Sequence, residues 1–296
     1  MAVFIAASDE TSGGDTSSPF HYAGWIAPEP DWTLYFTPAW QERVLVGPPE
    51  IPYLHMTDMR SKAWREKYGI SESDAEDRLD AAAILISQLG SLFALMFTVN
   101  RAEFNPLYKE HKVIVASGAT TDFQPDFLAF VCYAYGVLKY VHDKHPDAEK
   151  VDFLVENNRD ITKHINEFYK VMPNALNYIG APELIPLLGE FLPGGKDRAP
   201  LQAADYLAWH SRRADSDTLD ERSSRRFNTI GTRKGYHLTI PTDVLTGLSD
   251  SYKKHGLTNE QLKGIRELRP QNARTNEPSA RRDQKSNRRR KGGKTE

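Results

Sequence analysis

Two short runs of residues, the all-apolar 3–7 and the mostly apolar 151–155, are each followed closely by acidic side chains. Runs of this length and composition are typical of strands that a sheet buries on both faces, which requires helices packed against that sheet. The first run leads into Asp9 and Glu10, and the second leads directly into Glu156. The chain is therefore predicted to have an α/β fold in which two buried strands carry carboxylates to the rim of one sheet.

Strand and helix patterns alternate through the centre of the chain. Residues 20–27 fit the returning strand of a hairpin that begins with the first run. Further strands are predicted at 92–99 and 176–179, and helices at 31–46, 74–89, 124–142, 160–171 and 200–213. This alternation, which has no repeat of fixed period, favours a mixed sheet with helices on its faces.

The folded part of the chain is predicted to be one domain followed by a tail. The chain has 296 residues, of which 40% are hydrophobic, and it is long enough to bury a large core. We place the domain at 1–270, with core motifs in 3–213 and a helical extension at 214–270. Residues 271–296 contain nine Lys or Arg against three acidic residues and almost no apolar ones. This basic tail is predicted to be disordered.

A single cysteine and the lack of an export signal indicate a reducing compartment. Cys132 has no partner for an intrachain disulfide, and the first residues lack the basic region of a signal peptide. Residues 81–100 contain no charged side chain, but Gly90 divides them into a helical half and a half rich in β-formers. We therefore expect a cytoplasmic protein without a membrane span. The sequence leaves the oligomeric state open.

A third carboxylate lies on the apolar side of a predicted helix. Asp205 comes four residues after Leu201 and four before Trp209, so it shares their face. Burial of an unpaired carboxylate is unfavourable, and Asp205 therefore needs a cation, strong donors or a proton. A Mg²⁺ or Mn²⁺ ion held by Asp9, Glu156 and Asp205 meets this need, because hard oxygen ligands suit these metals. Such a metal favours phosphoryl chemistry, since it lowers the pKa of a bound water.

Each candidate residue also has a purely structural interpretation. Asp9 stands before glycines in a loop of ordinary turn composition, and Glu156 fits the cap of a following helix. Asp205 has arginines nearby in sequence as ion-pair partners. His55 is a candidate metal ligand or proton carrier, although a histidine beside an apolar segment is more often structural. The combination of these residues is what favours a site.

Three segments of the chain match the pattern of a known family. They are Asp9-Glu10-Thr11-Ser12-Gly13 with Phe20 and Gly24-Trp25-Ile26, Leu54-His55 with Asp58, and Leu201-Gln202-Ala203-Ala204-Asp205-Tyr206-Leu207-Ala208-Trp209. These segments resemble domain-of-unknown-function family 3800, which is regarded as having a ribonuclease H-like fold. The resemblance spans residues 3–213 and implies a ribonuclease H-like mixed sheet flanked by helices. It also implies that Asp9, Glu10, Glu156 and Asp205 stand where such folds place metal-binding carboxylates, with His55 a further residue of the family pattern.

Basic residues follow directly after the predicted Asp205 helix. Four of them are predicted to bind the phosphates of a nucleic acid: Arg212, Arg213, Arg225 and Arg226. The acidic residues interleaved at 215–221 fit a solvated, salt-bridged loop equally well. Aromatic side chains of the kind that stack single-stranded bases are not evident beside these arginines, where only Phe227 and Tyr236 are close in sequence. The kind of nucleic acid therefore stays open.

Three functions follow from these patterns. The first is a metal-dependent nuclease or related phosphodiesterase that uses the carboxylates and His55. The second is an inactive nucleic-acid-binding module, because the first loop is one residue longer than the family pattern and Glu156 stands where Asp is commoner. The third is a metal-assisted hydrolase of a small phosphorylated or nucleotide substrate, because the acidic body of the chain would repel a long polyanion. Residues 1–270 carry a net −8 once the +6 of the tail is taken from the total of −2. A closed pocket walled by residues 53–58 would favour this third function, and an open basic groove would favour the first.

Overall fold

The computed structural model describes residues 2–11, 18–114, 120–157, 161–231 and 235–255. The chain divides into a unit spanning Met1–Lys254 and a second spanning His255–Glu296, and apart from His255 the described residues belong to the first unit. The basic tail predicted at 271–296 lies outside the described residues.

The strands of the described residues form one large sheet and one small hairpin. They are β1 (Ala2–Thr11), β2 (Phe20–Pro28), β3 (Phe93–Val99), β4 (Lys112–Ile114), β5 (Thr120–Asp122), β6 (Ala148–Glu156), β7 (Leu188–Gly194) and β8 (Gly235–Thr239). β4 and β5 pair with each other, and the other six strands form a sheet of order β7-β6-β1-β2-β3-β8. Within this sheet β2 is antiparallel to both neighbours, and the other pairings are parallel. β1 and β6 therefore end at the same edge.

Helices cover both faces of this sheet. Over the described residues they are α1 (Thr37–Trp40), α2 (Met56–Arg60), α3 (Lys62–Tyr68), α4 (Glu72–Gln88), α5 (Arg101–Tyr108), α6 (Pro125–Lys144), α7 (Ile161–Tyr169), α8 (Met172–Tyr178), α9 (Ala199–Asp215), α10 (Glu221–Gly231) and α11 (Thr242–His255). Helical turns of π geometry, Asp31–Phe36 and Gln41–Leu45, flank α1, and a 3₁₀ helix spans Pro182–Leu187. This arrangement confirms the predicted α/β fold with a mixed sheet flanked by helices.

The alternation of side chains along the strands divides the core into two clusters. On one face, Phe130 and Tyr133 of α6 pack with Tyr22 of β2. On the other face, α4, α9 and the helical segment around α1 pack on Ala7 and Trp25. A strand buried on both faces is expected to be continuously apolar, and this is the pattern from which the first strand was predicted.

The first strand is longer than its apolar run. Pairing with β2 continues past Ser8, so that Asp9 lies opposite Ala23 and Thr11 lies opposite His21. Asp9 and Glu10 were expected in the loop that follows the strand, but they belong to the strand itself. Their backbone positions are therefore fixed by the sheet rather than by a turn.

Gly24 allows β1, β2 and α6 to come close together beside this strand end. A Cβ atom on Gly24 would lie 2.3 Å from the Ala7 carbonyl oxygen and 2.3 Å from the Tyr133 hydroxyl. Distances this short exclude any side chain at this position. Gly24 pairs with Ser8, the residue that precedes Asp9, so this close packing fixes the strand on which the first carboxylate stands.

The structure corrects the prediction for residues 176–179. This segment was expected to be a strand, but Leu176 and Tyr178 belong to α8, in which Pro173 stands in the first turn. A four-residue segment with three apolar or aromatic side chains fits a buried strand and one face of a short helix equally well. The strand that pairs with β6 on this side is instead β7.

The chain after α9 also differs from the predicted helical extension. It contains α10 and α11, but between them β8 pairs in parallel with β3 and forms one edge of the sheet. All five residues of β8 are exposed. The sequence of such a strand need not show the apolar pattern from which buried strands are predicted.

The uncharged stretch 81–100 forms the end of α4 and then β3, as predicted. Among the described residues, no helix has both the length and the apolar character needed to cross a membrane.

Candidate carboxylate site

Parallel pairing of β1 with β6 brings two of the predicted carboxylates to the same place. Ser8 lies opposite Val155 in this pairing, and Asp9 and Glu156 are the next residues of the two strands. Because side chains two residues apart share a face of a strand, Asp9 is on the face of Ala7 and Glu156 is on that of Leu154. Both of these apolar residues belong to the core cluster beneath α9. The two carboxylates therefore lie at one edge of the sheet, on the side that α9 covers.

Helix α9 supplies the third carboxylate. Its buried side includes the small residues Ala203, Ala204 and Ala208, which let the helix pack on β1 and β2. The indole Nε1 of Trp25 in β2 donates to the Ala203 carbonyl oxygen at 3.0 Å, which fixes the helix on the sheet. The side chain of Asp205 is 15% exposed, so the predicted burial of this carboxylate is observed.

The three carboxylates interact electrostatically. Burial raises the pKa of Asp9 well above its ordinary value, and the charges of Asp205, Glu156 and Glu10 raise it further. A hydrogen bond between the Asp9 and Glu156 side chains acts in the same direction, as expected when two carboxyl groups share a proton. Burial also raises the pKa of Asp205 to about 6, although His55 and the backbone N–H of Met56 partly offset this effect. The carboxyl groups of the site therefore favour a shared proton or a cation among them.

The segment containing His55 is attached to α9 by two side chains, one turn apart. The Gln202 Oε1 atom accepts from the Leu54 backbone N–H at 2.9 Å and from the Trp40 indole at 2.7 Å. Asp205 Oδ2 accepts from the Met56 backbone N–H at 2.7 Å, at the first residue of α2. A carboxylate is favourable at a helix N-terminus. Asp205 thus has a structural role in addition to any chemical one.

His55 lies between two carboxylates. Its Nδ1 atom is 3.2 Å from Asp58 Oδ2, a contact without hydrogen-bond geometry, and its Nε2 atom is 3.9 Å from Asp205 Oδ1. Lys196 Nζ lies 3.5 Å from the same oxygen of Asp58. Asp58 and Lys196 therefore form a charged pair behind the ring, with Nε2 on the side of Asp205.

A cavity of about 760 Å³ opens beside the carboxylates. On one side it is lined by acidic residues and His55: Asp9, Glu10, Glu156 and Asp205. On another side it is lined by three arginines and one aromatic residue: Arg60, Arg212, Arg213 and Trp209. His55 and Thr57, from the segment at 53–58, form part of the wall. One cavity thus contains both signs of charge, with Asp9, Glu10 and Glu156 supplied by strands of the sheet and Asp205, Arg212 and Arg213 supplied by α9.

The four predicted phosphate-binding arginines have different surroundings. Arg212 and Arg213 line the cavity, as the sequence prediction requires. Arg225 is exposed and pairs with Glu221 of its own helix at 3.6 Å. Arg226 is 2% exposed and forms ion pairs with Glu76 and Asp80 of α4. Its buried guanidinium joins α10 to α4, so we correct its assignment to a substrate surface.

Sequence reasoning missed several residues that the structure brings to the site. Trp209, Arg60 and Lys196 were given no role, and Gln202 appeared only as part of the family pattern. Trp209 had a detectable signal, because it stands four residues after Asp205 on the same face of the helix. The sequence gives no such signal for Arg60 and Lys196, because their positions depend on contacts between elements that are distant in sequence.

The described residues contain no group of three or more His, Cys, Asp and Glu side chains arranged to hold a metal ion as they stand. The donor set is nevertheless chemically suited to a hard cation, because buried carboxylates with a raised pKa are stabilised by a nearby positive charge. Asp9, Glu156 and Asp205 are the residues available to hold such an ion.

Searches of the sequence against models of protein families and against curated proteins find no match. The resemblance to family 3800, the ribonuclease H-like assignment and the metal therefore stay predictions.

Proposed function

We propose that this chain is a divalent-metal-dependent phosphodiesterase that acts on nucleic acid. One observation carries the proposal: three interacting carboxylates, Asp9, Glu156 and Asp205, line a cavity that is also lined by three arginines. Carboxylates suit a metal, and guanidinium groups suit phosphate. A ligand that suits both the carboxylates and the arginines contains phosphate and binds together with a cation.

A Mg²⁺ or Mn²⁺ ion is the cation that we propose for Asp9, Glu156 and Asp205. When bound, such an ion polarises a phosphoryl oxygen and lowers the pKa of a coordinated water. Binding requires the carboxylate side chains to move from their present positions, which do not form a metal site. The charge repulsion that raises the pKa of Asp9 favours this movement, because a cation relieves it.

The remaining residues bind, orient and transfer protons. Arg212 and Arg213 neutralise phosphate charge at the end of α9. His55 is positioned to exchange a proton at Nε2, since the Asp58 carboxylate attracts the Nδ1 side of its ring. Lys196 lies against Asp58 in turn, so these two residues help to position His55.

The test uses Asp205→Asn, which keeps an oxygen that can accept from the Met56 N–H. Wild type is expected to cleave at least one of single-stranded DNA, duplex DNA, RNA and an RNA–DNA hybrid with Mg²⁺ or Mn²⁺, and the variant is expected to be inactive. Asp126→Asn is the matched control, because Asp126 is also a buried aspartate with a raised pKa but stands in α6. If wild type leaves the whole panel intact with either metal, the proposal fails.

An inactive nucleic-acid-binding module is the second candidate. The finding that favours it is the lack, among the described residues, of side chains already arranged around a metal position. This function predicts oligonucleotide binding that Asp205→Asn leaves unchanged and no cleavage by wild type.

A hydrolase of a small phosphorylated substrate is the third candidate. It is favoured by His55 and Thr57, through which the segment at 53–58 walls one side of the cavity. Phosphate release from nucleoside mono- and diphosphates, with oligonucleotides left intact, would identify this function.

A further inference from the structure

Trp209 presents an aromatic surface inside the same cavity as the carboxylates. The ring is partly exposed, and two guanidinium groups lie against it: that of Arg213 at 4.5 Å and that of Arg60 at 5.3 Å from the ring centroid. All three side chains line the cavity. The other tryptophans that pack near α9, Trp25, Trp32 and Trp40, are fully buried. Trp209 is thus the tryptophan that this face offers to a ligand.

The two guanidinium groups are held differently. Arg60 donates to Glu76 at 2.6 Å and to the Ser223 hydroxyl at 3.1 Å, so its position is fixed by α4 and α10. Arg213 donates to the Thr218 carbonyl oxygen at 3.3 Å, which is a long contact in an exposed loop. A phosphate can therefore draw Arg213 away from the ring while Arg60 stays in place.

Helix α9 sets the order of these groups along the cavity. Asp205, Trp209 and Arg213 follow one another at intervals of four residues, which is the spacing of one helix face. At a rise of 1.5 Å per residue, the Trp209 backbone lies about 6 Å and the Arg213 backbone about 12 Å along the helix from Asp205. A ligand that lies along α9 therefore meets carboxylate, ring and cation in that order.

An aromatic ring between carboxylates and cations suits a nucleobase next to a phosphate. Every base has a π-face that stacks on an aromatic side chain, and a guanidinium pairs with phosphate oxygens. In a duplex those faces are covered by neighbouring bases, whereas a single strand exposes them. The cavity volume of about 760 Å³ lies within the range of sites that bind small organic groups, and it accommodates one nucleotide.

We propose that the cavity binds an unpaired nucleotide of a single-stranded nucleic acid, with its base stacked on Trp209 and its phosphate at Arg213. This inference rests on the proposed function for what happens at the carboxylates, and it adds the strandedness of the substrate. From sequence, no aromatic side chain beside the arginines was expected to stack on a base, because only Phe227 and Tyr236 were considered. In the proposed arrangement Trp209 has this role.

The test measures binding without turnover. The full chain is titrated, in EDTA, against a labelled single-stranded oligonucleotide, the same sequence as a duplex, and a mononucleotide, with fluorescence anisotropy as the readout. Wild type is expected to bind the single strand at least tenfold more tightly than the duplex. Trp209→Ala is expected to weaken single-strand binding by roughly 5- to 100-fold, and Trp209→Phe is expected to restore most of the loss.

Trp64→Ala serves as the matched control for Trp209→Ala. Trp64 is partly exposed and packs against Tyr53 and Tyr68, outside the cavity, and its replacement is expected to leave binding unchanged. Arg213→Ala is expected to reduce the slope of log affinity against log salt by about 1, as for the loss of one phosphate contact. The basic tail is present in every variant, so differences between variants report the substituted side chain.

The inference is overturned if folded Trp209→Ala binds the single strand as wild type does, if it loses affinity for duplex and single strand equally, or if the mononucleotide binds as tightly as the oligonucleotide. Thermal denaturation of each variant establishes that it is folded. The two proposals fail separately. Binding that depends on Trp209 without cleavage in Mg²⁺ or Mn²⁺ overturns the phosphodiesterase alone, and cleavage that is indifferent to Trp209 overturns the stacking alone.

Discussion

At the scale of single residues, Asp9 stands in an unfavourable position. It is 4% exposed, and the carboxylates around it raise its pKa together with burial. A neutral residue at this position would give a more stable fold, because burying a charge without a counterion is destabilising. Residues of this kind are concentrated at functional sites. The strain at Asp9 is therefore consistent with a cation that binds there.

Asp9→Asn is expected to stabilise the protein in the absence of metal. At pH 8 in EDTA, the free energy of unfolding should rise by roughly 1–3 kcal/mol, the usual range for one buried polar group. An acid whose folded pKa is raised stabilises the fold when protonated, and this contribution is lost as pH rises through that pKa. The gain from the substitution should therefore shrink at acid pH. Urea denaturation at several pH values measures it.

Addition of Mn²⁺ should make wild type more stable than Asp9→Asn. Wild type is expected to gain thermal stability with increasing Mn²⁺, because a ligand that binds the folded state stabilises it, whereas Asp9→Asn should not respond. Asp126→Asn, which removes a buried aspartate from α6, should respond as wild type does. Equal Mn²⁺ responses of wild type and Asp9→Asn would contradict the proposed metal position.

At the scale of elements, α9 holds the site together as a scaffold. Within two turns it positions Gln202, which holds the segment at Leu54, and Asp205, which holds the start of α2. The Gln202 amide also donates to the Lys196 carbonyl oxygen at 2.9 Å. The position of His55 therefore depends on side chains of a helix that is distant in sequence.

Gln202→Met is expected to destabilise the protein by roughly 2–4 kcal/mol. The substitution keeps the shape but leaves the Leu54 N–H and the Trp40 indole without an acceptor, and each unsatisfied buried donor costs about 1–3 kcal/mol. Gln88→Met is the control, since Gln88 accepts from Arg43 on an exposed surface and its replacement should change stability by less than about 0.5 kcal/mol. Chemical denaturation measures both. A similar effect of the two substitutions would show that Gln202 does not hold this segment.

Elements with a strong apolar pattern were predictable from sequence, and elements at the sheet edge were not. The runs at 3–7 and 151–155 have the composition of buried strands, and both lie in the middle of the sheet. β8 is exposed throughout, and β7 contains Pro193. Their pairing comes from tertiary contacts that a local pattern does not encode.

The candidate site was predictable to a similar extent. Carboxylates at strand ends and on an apolar helix face have a local signature, and these were found. Arg212 and Arg226 look alike as members of a charge run, but one lines the cavity and the other is buried against α4. Only the packing of α10 on α4 distinguishes the buried arginine from the one that lines the cavity.

At the scale of the whole molecule, a second polar cluster joins the end of α9 to three strands. The Thr98 hydroxyl lies 3.0–3.1 Å from His21, His237 and Asp215. Burial lowers the pKa of His21 to about 4, and burial likewise lowers the pKa of His210, inside α9, to about 4. Both histidines are therefore neutral in the folded protein at neutral pH.

Acid is expected to destabilise the molecule through these histidines. Between pH 6.5 and 4 the unfolded chain binds protons that buried His21 does not, so its contribution to stability is lost as pH falls through this window. Wild type should lose on the order of 2–3 kcal/mol more than His21→Asn between pH 7.5 and 4. Urea denaturation across this range gives the difference, and His142→Asn, which removes an exposed imidazole, is the control. If the free energy of unfolding falls with pH by the same amount in wild type and His21→Asn, His21 is not the group that destabilises the fold in acid.

The pairing of β1 with β6 also determines when the site comes into existence. In chain order Asp9 is synthesised before Glu156, and Asp205 is the last of the three carboxylates to be added. At 5–20 residues per second, Asp205 is added roughly 10–40 s after Asp9. Until α9 leaves the ribosome, Asp9 has no partner on that helix and the cavity does not exist. The cavity, and with it the proposed activity, can therefore form only after α9 has been synthesised.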